Sequence, residues 1–435
     1  MPTYKLMYLN ATGIGEPIRF LLNHCGIKFE DIRITFDEWP KYKPNMPMGQ
    51  VPVLEIDGKQ YHQSKAIGRF IAKKGNLYGS DDFEAMEIDA VVDSIDDIRQ
   101  AMGHYYMEQN PTFKAKFKEI VFQKLYQFRD KFEEQVKKNG GYLVDGKLSW
   151  ADFQWAGHCD ILSSVLAVDP NEDHPELKKL VEKVRALPNV KAYIEKRPKT
   201  EFCFIHGLNV LIFCYKTNQL FFKFIFLCLY YFQIMSIYKL TYFKDGAVGE
   251  PSRYLLSYCG IEFEDIRLTM EEWPKYKSNM PMGQLPILEI NNKTYHQSRA
   301  IARFIAKKGN LYSSDEFEAM EIDATVDSME DIRRVMGEYY WAQDPIFKAK
   351  LKEIAFQKLP FYLDKFEAQV KNNGGYFING KLSWPDFMWA AYSERISFIL
   401  TRDVNQDHPE LKKLVEKIRA LPEIKAYIEK RPKIQ

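Results

Sequence analysis

Residues 4–9, YKLMYL, alternate apolar and polar positions in a way that predicts a half-buried strand. Gly15 to Cys25 carries apolar residues at helical spacing and meets a stop at Gly26. Phe29 to Ile34 reads as a second strand. Trp39 to Gly49, broken by Pro40, Pro44 and Pro47, reads as loop. Val51 to Ile56 and Lys59 to Tyr61 flank Asp57-Gly58, a pair that favours a tight hairpin turn. Ser64 is placed to cap a helix running to about Lys74. The order is therefore β-α-β, then β-β-α. Beyond it the apolar spacing is helical throughout: Asp81 to Glu108, Thr112 to Lys138, Trp150 to Val165, Pro175 to Leu187 and Pro188 to Glu195. Ser149-Trp150-Ala151-Asp152 has the form of a capping box with Asp in place of Glu. The pattern predicts a small α/β domain followed by an all-α domain.

The same pattern then runs again. Tyr4-Lys5-Leu6 returns as Tyr238-Lys239-Leu240, an offset of 234 residues. The offset still holds at Trp39 and Trp273, His62 and His296, Trp150 and Trp384, and Arg197 and Arg431. No insertion is needed, and about two-thirds of the aligned positions are identical. A period this long belongs to a duplicated protein, not to a solenoid. The domains are 1–78 and 81–199 in the first copy, and 235–312 and 315–433 in the second. Residues 200–234 join the copies and have no counterpart in either.

This joining segment is rich in Phe, Leu, Ile, Tyr and Cys, unlike a Gly/Ser or Pro linker. Its longest apolar run, Phe224 to Phe232, falls short of the ~18 residues a membrane span needs, and Lys223 precedes it. Three readings stand: a hydrophobic linker packed between domains, a membrane anchor, or translated noncoding A/T-rich sequence left by the joining of two genes. The composition, and Met235 where a second product would start, favour the last; the apolar run is too short for the second.

Composition changes the picture little. The chain has 435 residues, 46% hydrophobic and 28% charged, enough apolar material for folded domains. Its 61 basic and 59 acidic residues leave a net charge of +2, which argues against nucleic acid as a partner. Six cysteines without a CxxC give no disulfide framework, and no His, Cys and carboxylate spacing suggests a metal site. The first residues lack an apolar signal-peptide core, so a cytoplasmic protein is expected.

Several linked features carry a resemblance. They are a Tyr near the end of strand one (Tyr8, Tyr242), Trp-Pro-Lys-x-Lys from Trp39 and from Trp273, and Gly-Gln-x-Pro before a strand. Gln-Ser opening a helix and Ser-Trp-x-Asp-Phe late in each copy complete the set. Together, in order and twice, they resemble the cytosolic glutathione transferases, in particular the sigma-like class that includes the haematopoietic prostaglandin D synthases. The resemblance spans both copies almost end to end. It implies a thioredoxin-like glutathione-binding domain, a helical domain that supplies the pocket for a hydrophobic electrophile, and a two-fold dimer. Glutathione is then a co-substrate, and no further cofactor is expected.

The resemblance also assigns residues. Tyr8 and Tyr242 would donate a hydrogen bond to the glutathione thiolate. This lowers the pKa of a thiol that otherwise titrates near ~8.5. Gln63-Ser64 and Gln297-Ser298 would receive the γ-glutamyl carboxylate at a helix start, where free N–H groups favour anions. Val51-Pro52 and Leu285-Pro286 match the family's cis-proline, beside which the extended peptide pairs with the backbone. Trp39, Lys43 and Gln50, with Trp273, Lys277 and Gln284, match contacts to the glycine end. Asp97 and Asp331 match an aspartate that reaches across the dimer toward the γ-glutamyl amine bound to the other subunit. In a tandem chain Asp331 would complete the first site and Asp97 the second, whether the copies pair within one chain or between chains.

Other residues are expected to be structural: Asp152 and Asp386 as caps, Cys25 and Cys259 as core. No role falls to His62 or His296. The second-substrate pocket should be lined around Gly13, Met102, Tyr105, Tyr106 and His158, and around Met336, Tyr339, Tyr340 and Tyr392. Both copies depart from the class in one respect: the loop after the strand-one Tyr has no Arg. Arg19 and Arg253 on helix one are expected to face elsewhere. The loss puts thiol activation in question and leaves a non-catalytic ligand-binding or crystallin-like protein as the alternative to an electrophile-conjugating, detoxifying transferase.

Overall fold

A computed structural model describes residues 2–198, 200 and 237–432. The readings of the joining segment fall outside the described residues, Thr200 excepted. The first copy contains β1 (Tyr4–Leu9), α1 (Glu16–His24), β2 (Glu30–Ile34), α2 (Trp39–Tyr42), β3 (Val53–Ile56), β4 (Lys59–His62) and α3 (Ser64–Lys74). Its helical half contains α4 (Asp82–Met107), α5 (Pro111–Lys138), α6 (Trp150–Leu166), α7 (Pro175–Arg185) and α8 (Pro188–Lys196). The second copy repeats the order as β5 (Tyr238–Phe243), α9 (Glu250–Tyr258), β6 (Phe263–Leu268), α10 (Trp273–Tyr276), β7 (Ile287–Ile290), β8 (Lys293–His296) and α11 (Ser298–Lys308). Then come α12 (Glu316–Trp341), α13 (Pro345–Asn372), α14 (Trp384–Leu400), α15 (Pro409–Arg419) and α16 (Pro422–Lys430). Each copy is thus a mixed four-stranded sheet with helices, followed by a helical domain.

The sheets have the order β2-β1-β3-β4 and β6-β5-β7-β8. β1 runs parallel to β2 and antiparallel to β3, and Tyr8 stands opposite Arg33. The predicted half-buried strand is in fact covered on both faces. Leu6 packs into the main core with α1 and α3. Met7, on the other face, packs with Ile34, Met46 and Val53. The cause is the 35–50 segment, which folds back over the sheet. That segment is not a plain loop either: it forms α2 and a 3-10 turn at Lys43–Asn45, because Pro40 and Pro44 sit in first-turn positions that need no N–H donor. The hairpin turn has positive φ at both Asp57 and Gly58. The second copy makes the same turn with Asn291 and Asn292, residues that tolerate this region.

In the helical domain, Ser149 and Asp152 form the capping box. Asp152 accepts from the backbone N–H of Ser149 at 2.7 Å and of Leu143 at 2.9 Å. Ser383 and Asp386 repeat it. Burial raises Asp152 and Asp386 to about 6, against the pull of these donors. Cys25 and Cys259, half-buried against α3 and α11, are pushed up to about 11 by burial, which keeps them thiols.

The two copies pack on each other through α3 and α4 against α12 and α11. Phe83 of the first copy sits between Tyr295 and Phe304 of the second, at centroid distances of 5.9 and 4.9 Å. Phe317 of the second sits in the same way against Tyr61 and Phe70 of the first, at 5.9 and 5.3 Å. Between these aromatic contacts lies a buried ring of charge, with Arg69 and Arg303 alternating with Asp89 and Asp323.

Candidate active sites

Each copy has a cavity between its sheet and the helices, of about 450 Å³ in the first and 530 Å³ in the second. The first is walled by Trp39, Lys43, Gln50, Val51, Pro52, Gln63 and Ser64. The second is walled by Tyr242, Trp273, Lys277, Gln284, Leu285, Pro286, Gln297 and Ser298. Both Val51-Pro52 and Leu285-Pro286 bonds are cis. Residues spread over 26 positions of the first copy and 57 of the second therefore converge on one hollow in each.

The aspartates cross over. Asp331 lines the first cavity and Asp97 the second. The Gln63 amide donates to Asp331 at 3.1 Å and to Ser328 at 3.1 Å. The Gln297 amide donates to Asp97 at 3.3 Å and to Ser94 at 3.0 Å. Burial raises Asp331, while the Gln63 amide and Arg99 pull it back.

Ser64 and Ser298 are the first helical residues, not the caps. The cap positions belong to Gln63 and Gln297, held at φ 68° and 69°. Positive φ is costly for a non-glycine residue and is tolerated where the surrounding structure fixes it. Here it aims the amide across to the other copy, and the first helical residues, Ser64 and Ser298, line the cavities.

The two tyrosines differ in setting. Tyr242 is part of the cavity wall; Tyr8 is not. The loop after β1 lies directly over Tyr8, so that a Cβ on Gly13 would stand 2.3 Å from its hydroxyl. The Ile14 N–H donates to that hydroxyl at 3.1 Å, and the Val248 backbone plays the same part for Tyr242. Burial raises both phenols above the ordinary value, so both stay protonated donors.

Sequence reasoning missed several residues. Arg99 and Arg333, two positions beyond the crossing aspartates, line the cavities and act electrostatically on Tyr8 and Tyr242. The spacing Asp-Ile-Arg on one helix was the available signal. Arg19 and Arg253 face away from the cavities, as expected, yet stay beside the tyrosines. Arg19 donates to the loop carbonyl of Ala11 at 2.9 Å, and its guanidinium lies 5.6 Å from the Tyr8 ring centre; Arg253 lies 5.8 Å from that of Tyr242. They brace the loop from behind. Tyr362 of the second copy enters the first site, its hydroxyl 3.2 Å from the Gln50 amide and 3.3 Å from Asp331. Its counterpart is Phe128, so only one site has this hydroxyl.

The second-substrate region is partly as read. Met336 and Tyr392 line the second cavity, while Tyr339 packs edge-on against Phe356 outside it. In the first copy Gly13, Met102, Tyr105, Tyr106 and His158 do not form the cavity wall; His104 and Met107 do. His158 is turned back on its own helix, with Nδ1 2.7 Å from the Gln154 carbonyl. His62 lines the first cavity, and burial lowers it to about 4, so it is neutral. No described helix is long and apolar enough to cross a membrane.

Comparison with known proteins agrees with this arrangement. The family model described as glutathione S-transferase, N-terminal domain, matches residues 4–73 and 239–307. The one described as glutathione S-transferase, C-terminal domain, matches 96–197 and 330–431. A glutathione S-transferase of Anopheles gambiae is 44% identical over 202 residues, covering 46% of this chain and 100% of the relative. Glutathione S-transferase S1 of Drosophila melanogaster is 41% identical over 200 residues, covering 46% of this chain and 80% of the relative. The haematopoietic prostaglandin D synthase of Gallus gallus is 40% identical over 210 residues, covering 46% of this chain and 99% of the relative. Each relative thus corresponds to one copy. The chain belongs to the glutathione S-transferase family, as two copies of the transferase unit in tandem.

Proposed function

We propose that each copy conjugates glutathione to hydrophobic electrophiles, with a tyrosine hydroxyl stabilising the thiolate, and that the two copies pair within one chain. The observation that carries this reading is the hydroxyl of Tyr242, which belongs to the wall of the second cavity with Gln297 and Ser298 and, as Tyr8 does from Ile14, accepts a backbone N–H from the loop and so keeps its own proton free to donate. A phenol raised by burial is a poor base and a good donor, suited to holding a sulfur anion. Arg99 and Arg333 add the positive charge that the loop lacks.

In this reading the γ-glutamyl carboxylate lies at the starts of α3 and α11, and its amine at the crossing Asp331 and Asp97. The peptide backbone pairs with Val51 and Leu285. The glycine carboxylate meets Lys43 and Lys277, beside Trp39, Trp273, Gln50 and Gln284. The thiol proton leaves to solvent. The thiolate then attacks an electrophilic carbon, forming the S–C bond as a halide departs with its electron pair, or as a carbanion formed by addition takes a proton. Glutathione is the co-substrate and no other cofactor takes part. Detoxification in the cytoplasm is the role this chemistry suits.

Conjugation of 1-chloro-2,4-dinitrobenzene by the full chain, followed together with its retention on immobilised glutathione, tests the reading. Retention with turnover supports it. Retention without turnover supports the ligand-binding alternative.

A further inference from the structure

The two sites are not chemically equal. Where the first copy has Ala11 and Ile161, an apolar pair, the second has Asp245 and Arg395. Arg395 is buried on α14 and lines the larger cavity; it also lines a side pocket of about 170 Å³ beside the loop after β5. Its guanidinium lies against three rings, 4.6 Å from the centre of Tyr340, 5.1 Å from Phe398 and 6.0 Å from Trp341. One nitrogen faces Asp245, Nη2 to Oδ2 at 3.4 Å, a long contact. Nη1 and the Asp245 Oδ1 are both buried and without a hydrogen-bond partner, so this pair leaves part of the guanidinium unsatisfied. The aromatic wall is equally particular to this copy: Trp341 replaces Met107 and Phe398 replaces Ser164.

A buried guanidinium nitrogen without an acceptor is costly, and it gains most from an anion. Flat aromatic walls beside it suit an aryl group. We propose that Arg395 makes the second site selective for aromatic electrophiles that carry a carboxylate, a preference the first site lacks. The proposal rests on the transferase reading above. In the reaction tested, the glutathione thiolate forms an S–C bond to the ring carbon, the C–Cl bond breaks, chloride leaves with its electron pair, and the thiol proton goes to solvent. The carboxylate takes no part in bond making and only seats the ring.

The test uses the full chain carrying Tyr8→Phe, to quiet the first site. It compares 4-chloro-3,5-dinitrobenzoate with its methyl ester as electrophiles. The variant is the double replacement Asp245→Ala with Arg395→Ile, which installs the residue pair of the first copy and leaves no charge buried alone. The ratio of kcat/KM for acid over ester is expected to fall about tenfold in the variant, the size of one desolvated charged contact. An unchanged ratio overturns the proposal while leaving the transferase reading intact. Calorimetric binding of the inert 3,5-dinitrobenzoate and its ester supplies the second measurement. If neither electrophile reacts but the acid-to-ester affinity ratio falls tenfold, the anion site stands and the transferase reading fails. If that ratio also stays constant, Arg395 serves only to hold Asp245.

Discussion

The Arg69 guanidinium of the first copy lies 2.9 Å from the Asp323 carboxylate of the second, and both side chains are buried. Arg303 answers from the second copy, 2.8 Å from Asp89. Each arginine also holds an aspartate of its own copy, at 2.9 and 2.8 Å, so four charges close a ring. Breaking such a pair costs more than forming it gains, because the survivor stays buried and uncompensated. Replacing Asp323 by Ala is expected to destabilise the chain by about 3–5 kcal/mol. Replacing Arg69 and Asp323 together by Met and Leu is expected to cost much less. Denaturant unfolding of the two variants checks this; equal losses would mean the ring is not desolvated.

Buried ion pairs within and between the copies fix an acid limit. Burial pushes Glu330 up, but Arg333 and Arg299 outweigh it and bring the carboxyl down to about 2. Asp96 and Asp323 are likewise held well below the usual carboxylate range by arginines and lysines, against burial. A folded value below the unfolded one, ~4, gives stability that is present at neutral pH and lost as the proton binds. Stability is therefore expected to hold down to about pH 4 and to fall from there toward pH 2. Midpoints of urea unfolding across that range are the measurement, and a flat profile would count against these carboxylates being charged and paired in the folded chain.

The fold was legible because its signals are local. Asp57-Gly58 marks the hairpin, Ser149 with Asp152 the late helix, and the offset of 234 the whole second copy. The missed features are those that another element decides. Met7 is buried by a segment 40 residues away, and Tyr362 reaches a site in the other copy. Arg19 has the polarity of a surface residue but is fully buried, because Asp31, Glu16 and the Ala11 carbonyl surround its guanidinium. The candidate site was legible through the family's motifs. Its asymmetry was not, since Ala11 against Asp245 has no meaning until Ile161 and Arg395 are seen beside them.

The hydroxyls should carry comparable loads. Tyr8 and Tyr242 are equally buried, and each accepts a backbone N–H from the loop above it. Replacing either by Phe removes one hydrogen bond to a charged sulfur, about 1.5–3 kcal/mol, and raises the bound thiol by one to two pKa units. At neutral pH the thiolate fraction then drops about tenfold or more at that site. Either variant is expected to remove most of the conjugation of its own copy, and the double variant nearly all of it. Thiolate absorbance of bound glutathione against pH reports each site's loss separately from turnover.

Arg334 lines both cavities and has Gln100 as its counterpart. Its Nη1 is 3.6 Å from Asp97, the carboxylate proposed to hold the glutathione amine of the second site. A cation there competes with the incoming ammonium. Arg334→Gln is expected to tighten glutathione at the second site about threefold, the scale of a screened charge contact. Two-site calorimetry decides, and weaker binding would instead make Arg334 a ligand for a glutathione carboxylate.

The loop's missing arginine is answered from α4 and α12. Arg99 and Arg333 each draw down the tyrosine hydroxyl of their own copy, although burial keeps both phenols raised. Arg99 is held at Asp96, Nε to Oδ1 at 2.6 Å, with Lys65 on the other oxygen at 3.3 Å. Its removal therefore leaves Asp96 still paired. Arg333 is the main partner of Glu330, which Tyr392 also approaches at 3.2 Å. Arg99→Leu is expected to raise the thiol pKa at the first site by up to about one unit with the fold intact. Arg333→Leu should do the same at the second and also lower stability, because it strips a buried carboxylate of its closest cation. The two effects separate by readout: thiolate titration follows the cation's place at the sulfur, and thermal unfolding follows its place beside Glu330. If neither arginine moved the thiol titration, the tyrosines alone would carry the activation.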